Sequence, residues 1–114
     1  MVAWQKAMDL AAEVYQITKN FPKDELYGIT SQLRRASVSI AANIAEGQGR
    51  QTTGEFCQFL GHARGSLLET ETHILLAMRL SYIPEASGEG LLMHSAELGR
   101  ILNGLLSSLR EHKR

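Results

Sequence analysis

The sequence predicts an all-α fold, an antiparallel up-down-up-down four-helix bundle that assembles into a homo-oligomeric ring. Three observations carry that reading. Four segments of helical apolar periodicity account for almost the whole chain, with no strand alternation, internal repeat or low-complexity tract. The connections between them are short, roughly four to eight residues, which favours antiparallel neighbours. The second and third segments carry more apolar faces than a single bundle needs to bury.

The first helix is expected from about Ala3 to Asn20. Trp4, Ala7, Met8, Ala11, Val14 and Tyr15 form one broad stripe with Leu10 and Ile17 at its edge. Gln5, Asp9, Glu13, Gln16 and Asn20 take the wet side, and Phe21-Pro22 ends the helix. The second begins near Asp24 and bends or restarts at Gly28, where Thr30 or Ser31 can cap a restart. Within it, Leu33, Ala36, Ser37, Ile40, Ile44 and Gly47 share one face, while Arg35, Ser39, Ala42 and Glu46 fall nearly opposite. The alanines between the two lines leave little bulk, so neighbouring helices can approach on several sides. Gly47 and Gly49 close this helix.

Thr52 or Thr53 caps the third helix, with Glu55 as the capping-box partner of Thr52. This helix is expected to be the longest, reaching about Ser81 before Pro84. One face carries Phe56, Leu60, Ala63, Leu67, Ile74 and Met78; a second line carries Cys57, Gly61, Leu68, Thr72 and Leu75. Glu85 to Gly90 reads as a turn. The fourth helix, from about Leu91 to Arg110, has a stripe of Leu91, Leu98, Leu102, Leu105, Leu106 and Leu109. Its other face carries Glu97, Arg100, Asn103, Ser107 and Arg110. The leucines and glycines of the third helix's second line, with the spare faces of the second helix, point to a homo-oligomer closed as a ring or dimer.

At 114 residues the chain is one domain, 1–114, with a single core. Twelve basic residues balance twelve acidic ones, which argues against a surface that is basic throughout. The lone Cys57 excludes an intrachain disulfide and a cysteine-based zinc cluster. No secretory signal and no run of about 18 apolar residues is present, so a cytoplasmic protein without membrane contact is expected.

Little in the chain resembles catalytic machinery. Cys57 lacks an adjacent base, and Glu46 to Arg50 follows a helix rather than a strand and lacks a GK[ST] ending. No catalytic residue and no cofactor is expected. His62, Glu69 and His73 share one side of the third helix, but their spacing is not Glu-x-x-His and no second such element exists. Among the basic residues, Arg34 and Arg50 are freer to meet phosphate, together with the tail residues Arg110, Lys113 and Arg114. A ring would repeat them around an axis, giving non-specific RNA or DNA binding without base readout. Arg35 is expected to pair with Glu46 or Glu69 within or between subunits.

Phe21-Pro22, Tyr27-Gly28, Gln32-Leu33-Arg34-Arg35-Ala36 and Ser39-Ile40 lead into Asn43-Ile44-Ala45-Glu46-Gly47. Phe56, Phe59-Leu60 and Gly65-Ser66-Leu67-x-Glu69 follow. This series resembles the four-helix bundle family of 23S rRNA intervening-sequence proteins, over nearly the whole chain from Trp4 to about Leu109. The resemblance implies a short bacterial bundle without established enzymatic activity. Related accessory proteins of diversity-generating retroelements form pentameric barrels that bind nucleic acid and a reverse transcriptase. A pentamer is therefore the expected ring, with nucleic acid or another protein as partner. By position, Gln32, Arg35, Asn43, Glu46 and Glu69 correspond to the family's characteristic polar residues, read as a buried hydrogen-bonded network that fixes helix register.

Overall fold

Four α-helices make up the computed structural model, which describes residues 1–113, with side chains to residue 111. They are α1 (Val2–Thr18), α2 (Ser31–Gln48), α3 (Thr53–Arg79) and α4 (Glu85–Lys113). Each packs on its neighbours in the chain and α4 returns against α1, so α1 and α3 stand diagonally across the bundle. The molecule measures 49 × 24 × 18 Å, and among the described residues there is no strand.

The α1 stripe is rotated from its expected position. Ala3, Ala7, Leu10, Ala11, Val14 and Thr18 are buried, whereas Trp4, Met8 and Tyr15 are exposed. The alanines allow α1 to sit close to its neighbours, and that approach carries the bulkier line outward. After α1 comes a single 3₁₀ turn, Lys23–Glu25, and a kinked segment, Leu26–Thr30. The kink lies at Gly28 (φ −110°, ψ −121°), where the sequence expects it. Thr30 does not cap the restart: it is itself helical and buried, and its hydroxyl has no hydrogen-bond partner. Ser31 Oγ instead donates to the Gly28 carbonyl at 3.1 Å.

In α2, Leu33, Ala36, Ser37, Ile40, Ile44 and Gly47 are all buried, as their common face requires. A Cβ at Gly47 would stand 2.9 Å from Phe56 Cδ1 and 3.0 Å from Phe59 Cβ. The Phe59 Cβ cannot swing away without moving its own backbone. Gly47→Ala gains about 1 kcal/mol of helix propensity and loses about 1–3 to overpacking. A lower denaturation midpoint is expected; a raised one would show that α2 and α3 have slack at this crossing.

The Thr52 cap forms as expected. Its hydroxyl accepts from the Glu55 amide at 3.1 Å and donates to the Glu55 carboxylate at 3.0 Å. At the other end of α3, Ser81 N–H donates to Met78 O (3.0 Å) and Tyr82 N–H to Ala77 O (2.9 Å), a Schellman motif. Ser81 carries its left-handed position, φ 63°. Ser81→Gly should therefore stabilise the protein by about 0.5–1 kcal/mol, read as a higher melting temperature. Tyr82 then packs on Phe21 with ring centroids 5.5 Å apart and donates to Glu25 Oε2 at 2.8 Å. That hydrogen bond, followed by burial, raises the phenol's pKa.

The expected turn over Glu85–Gly90 is the first stretch of α4, which starts directly after Pro84, with Gly88 N–H donating to Pro84 O at 2.9 Å. Gly88 is buried against Met78, and a Cβ would strike the thioether, so this glycine serves close helix contact rather than a turn. At 29 residues α4, not the 27-residue α3, is the longest helix. Its buried Leu91, Leu98, Leu102 and Leu106 complete the core with Leu10, Ile40, Ile44, Leu60 and Ile74. Cys57 is half-buried against the edge of that core. No helix among the described residues is long and apolar enough to cross a membrane.

Candidate interaction surface

The polar residues expected to form a buried network do not form one within the chain. Gln32, Arg35 and Glu46 are exposed: Arg35 and Glu46 lie nearly opposite the α2 core face and Gln32 to its side, and no further helix among the described residues covers them. The side chains of Glu46 and Glu69 are each 60% exposed. Glu46 meets Arg50 at 3.5 Å and Glu69 meets His73 at 3.4 Å, both one turn along the same helix or at its end. Neither pairs with Arg35, which has no ion pair among the described residues. Asn43 alone is tied inward: its amide donates to Ser39 O (2.8 Å) and Ser39 Oγ (3.0 Å). Ser39 Oγ in turn bonds Ser66 Oγ across to α3 at 3.0 Å.

The basic residues expected to read phosphate are not brought together. Arg34 is half-buried at the α1–α2 seam, where its Nε donates to Thr18 Oγ1 at 2.7 Å and its guanidinium stacks 4.7 Å above the Tyr15 ring. Its position faces α1, so it is not the arginine free to meet phosphate that the sequence leads one to expect. Arg50 stacks 4.5 Å over Phe59 at the α2–α3 end. Arg110 lines a shallow cleft with Arg64, whose guanidinium donates to Asn103 at 3.0 Å. The Lys113 side chain and Arg114 lie outside the described residues.

His62 sits edge-on to Phe59, with centroids 5.9 Å apart, while His73 turns to Glu69. Among the described residues no three His, Cys, Asp or Glu side chains converge as metal ligands.

Besides Leu26, Tyr27, Leu80 and Met93, the exposed apolar side chains of the described residues include two groups on separate helices. On the outer side of α3, Leu68 is 60%, Leu75 52% and Leu76 46% exposed. Thr72 lies between them, Gly61 and Gly65 continue the same side of the helix toward its start, and a Cβ at either glycine would meet nothing within 4 Å. Packing inside the chain thus gives no reason for two glycines that each cost about 1 kcal/mol in a helix. Gly90 and Gly104 of α4 share that property, so it is the neighbouring leucines that distinguish the α3 patch. On the diagonal helix, Trp4, Met8 and Tyr15 make an exposed line, and exposed Val38 lies on the α1-facing edge of α2. The sequence pattern shows the α3 patch, but the α1 line reads there as core. Only the burial of Leu10 in its place could have separated the two.

These features sit on a fold already seen elsewhere. A crystal structure at 1.70 Å resolution of a protein of unknown function from the S23 ribosomal protein family of Bacteroides thetaiotaomicron VPI-5482 superposes with a TM-score of 0.85. It shares 25% identity and covers 91% of this chain and 97% of its own. No curated protein matches the chain. The model of the 23S rRNA-intervening sequence protein family matches residues 1–104, almost end to end. The chain belongs to the 23S rRNA-intervening sequence protein family.

Proposed function

We propose that this protein is a non-enzymatic, homo-oligomeric interaction module, a cytoplasmic up-down-up-down bundle whose copies join head to tail into a ring. The observation that supports this is the pair of exposed apolar patches on diagonally opposed helices, Leu68/Leu75/Leu76 on α3 and Trp4/Met8/Tyr15 on α1. Two different patches on opposite flanks suit a heterologous contact, which closes into a ring when the rotation between copies allows. A self-complementary dimer needs only one. The family resemblance makes five the expected number of subunits. Native mass spectrometry of the full chain tests this: a discrete multiple of 12.6 kDa, five-fold on this reading, is expected. A 12.6 kDa species at every concentration would overturn it.

In such a ring the exposed Arg35, Glu46 and Glu69 find charged partners between subunits rather than within one. The ring would present another protein, RNA or DNA with repeated copies of Arg50 and Arg110. Nucleic-acid contact of that kind is weak and falls steeply with salt. The balanced charge and the absence of a joint Arg34, Arg50 and Arg110 patch favour a protein partner as the main one.

A further inference from the structure

We propose that the cleft between the C-terminal end of α1, the turn after it and the start of α2 binds a phosphate monoester carrying a small apolar or aromatic group. The cleft is a cavity of about 260 Å³, smaller than a typical drug-sized site. Its cationic side holds Arg34, Lys19 and Lys23, and no carboxylate lines it. Asp24 and Glu25 follow in the chain, but neither faces the cleft, and Glu25 is engaged by the Tyr82 hydroxyl. Three cations without a counter-charge are an exception in a molecule whose charges balance overall.

Arg34 is built into place rather than loosely held. Thr18 Oγ1 donates to Val14 O at 2.7 Å, which orients it to accept from Arg34 Nε, also at 2.7 Å, while Tyr15 supports the guanidinium plane. This seat uses one N–H and one face. The two Nη groups find no acceptor among the described residues, leaving the fork that suits a bidentate phosphate contact. Thr30, almost wholly buried, also lines the cleft, and its hydroxyl has no partner among the described residues. An unmet buried hydroxyl is an unusual cost, and this one belongs to a residue that lines the same cleft as the pinned guanidinium. Phe21, Pro22 and Leu26 form the remaining wall, which explains why the ligand should carry an apolar group beside its phosphate. None of its cations or hydroxyls belongs to either apolar patch, although the Tyr15 ring beneath Arg34 is part of the α1 line.

Phenyl phosphate is the probe. Titrated calorimetrically into the full chain, it should bind saturably, with amide resonances moving at Thr18, Thr30 and Arg34. Inorganic phosphate should bind more weakly and phenol not at all. Arg34→Gln should weaken binding at least tenfold. Because that change also removes the bond to Thr18, Lys23→Gln is its companion. On an exposed side chain, it should weaken binding about threefold with an unchanged melting temperature. No saturable binding of phenyl phosphate, or affinity unaltered in both variants, would overturn the proposal. So would binding confined to a 5′-phosphorylated oligonucleotide, which would place the ligand on a nucleic-acid end instead.

Discussion

Leu68→Glu and Met8→Glu are each expected to reduce the protein to single 12.6 kDa chains, and an equimolar mixture of the two to give a dimer. Burying one leucine or methionine side chain is worth about 1.5–3 kcal/mol, and seating a carboxylate in its place without a partner costs more on top. The sum corresponds to a weakening of 100-fold or more. Both residues are exposed in the single chain, so the substitutions should leave the bundle itself folded. In a head-to-tail contact, the intact α1 line of the first variant still fits the intact α3 patch of the second. One contact survives and the ring cannot close. Light scattering at high protein concentration reads the outcome. A self-complementary contact would leave the mixture as single chains, and unaltered assembly in either variant would remove its patch from the interface.

Ile44→Ala is expected to cost about 2–5 kcal/mol, because Ile44 is fully buried among large side chains and its loss leaves a cavity. Against a total of about 5–15 kcal/mol for a domain of this kind, that is a large share. A fall in melting temperature of about 8–20 °C should follow in circular dichroism. Val38→Ala on the same helix is the contrast. Val38 is exposed in one chain, so its truncation should cost under about 0.5 kcal/mol in an unassembled variant such as Leu68→Glu. Equal losses at the two positions would contradict the assignment of the α2 core face.

The α2 face was readable because six core positions at helical spacing, from Leu33 to Gly47, leave a single orientation open. Capping chemistry placed the start of α3 equally well, since Thr52 and Glu55 have the spacing of a capping box. The α1 stripe was not readable in the same way. Alanine is ambiguous between a core and a surface position, and the bulky Trp4, Met8 and Tyr15 bias a periodicity count toward the wrong side. Glycine misled at the start of α4, where Gly88 and Gly90 look like a turn although Gly88 is there to admit Met78.

The site was legible as residue types and not as geometry. Arg35 and Glu46 fall opposite the core face in the sequence, which already places them on the surface of one chain. Reading them as buried required a second chain that periodicity cannot supply. Arg34 faces α1, but only the structure shows that Thr18 and Tyr15 stand there to hold it. Nothing in the pattern marked Thr30 as a buried hydroxyl without a partner.

Hydroxyl-radical footprinting of the full-length protein at assembly concentrations tests most directly whether the α3 face is covered. Leu68, Leu75 and Leu76 are 60%, 52% and 46% exposed in one chain, and Leu26 in the turn after α1 is 48% exposed, so residue type and single-chain exposure are matched. The three α3 leucines should be oxidised several-fold more slowly than Leu26, and the protection of Leu75 and Leu76 should disappear in Leu68→Glu. Equal oxidation of all four leucines in the unmodified sequence would contradict a covered α3 face.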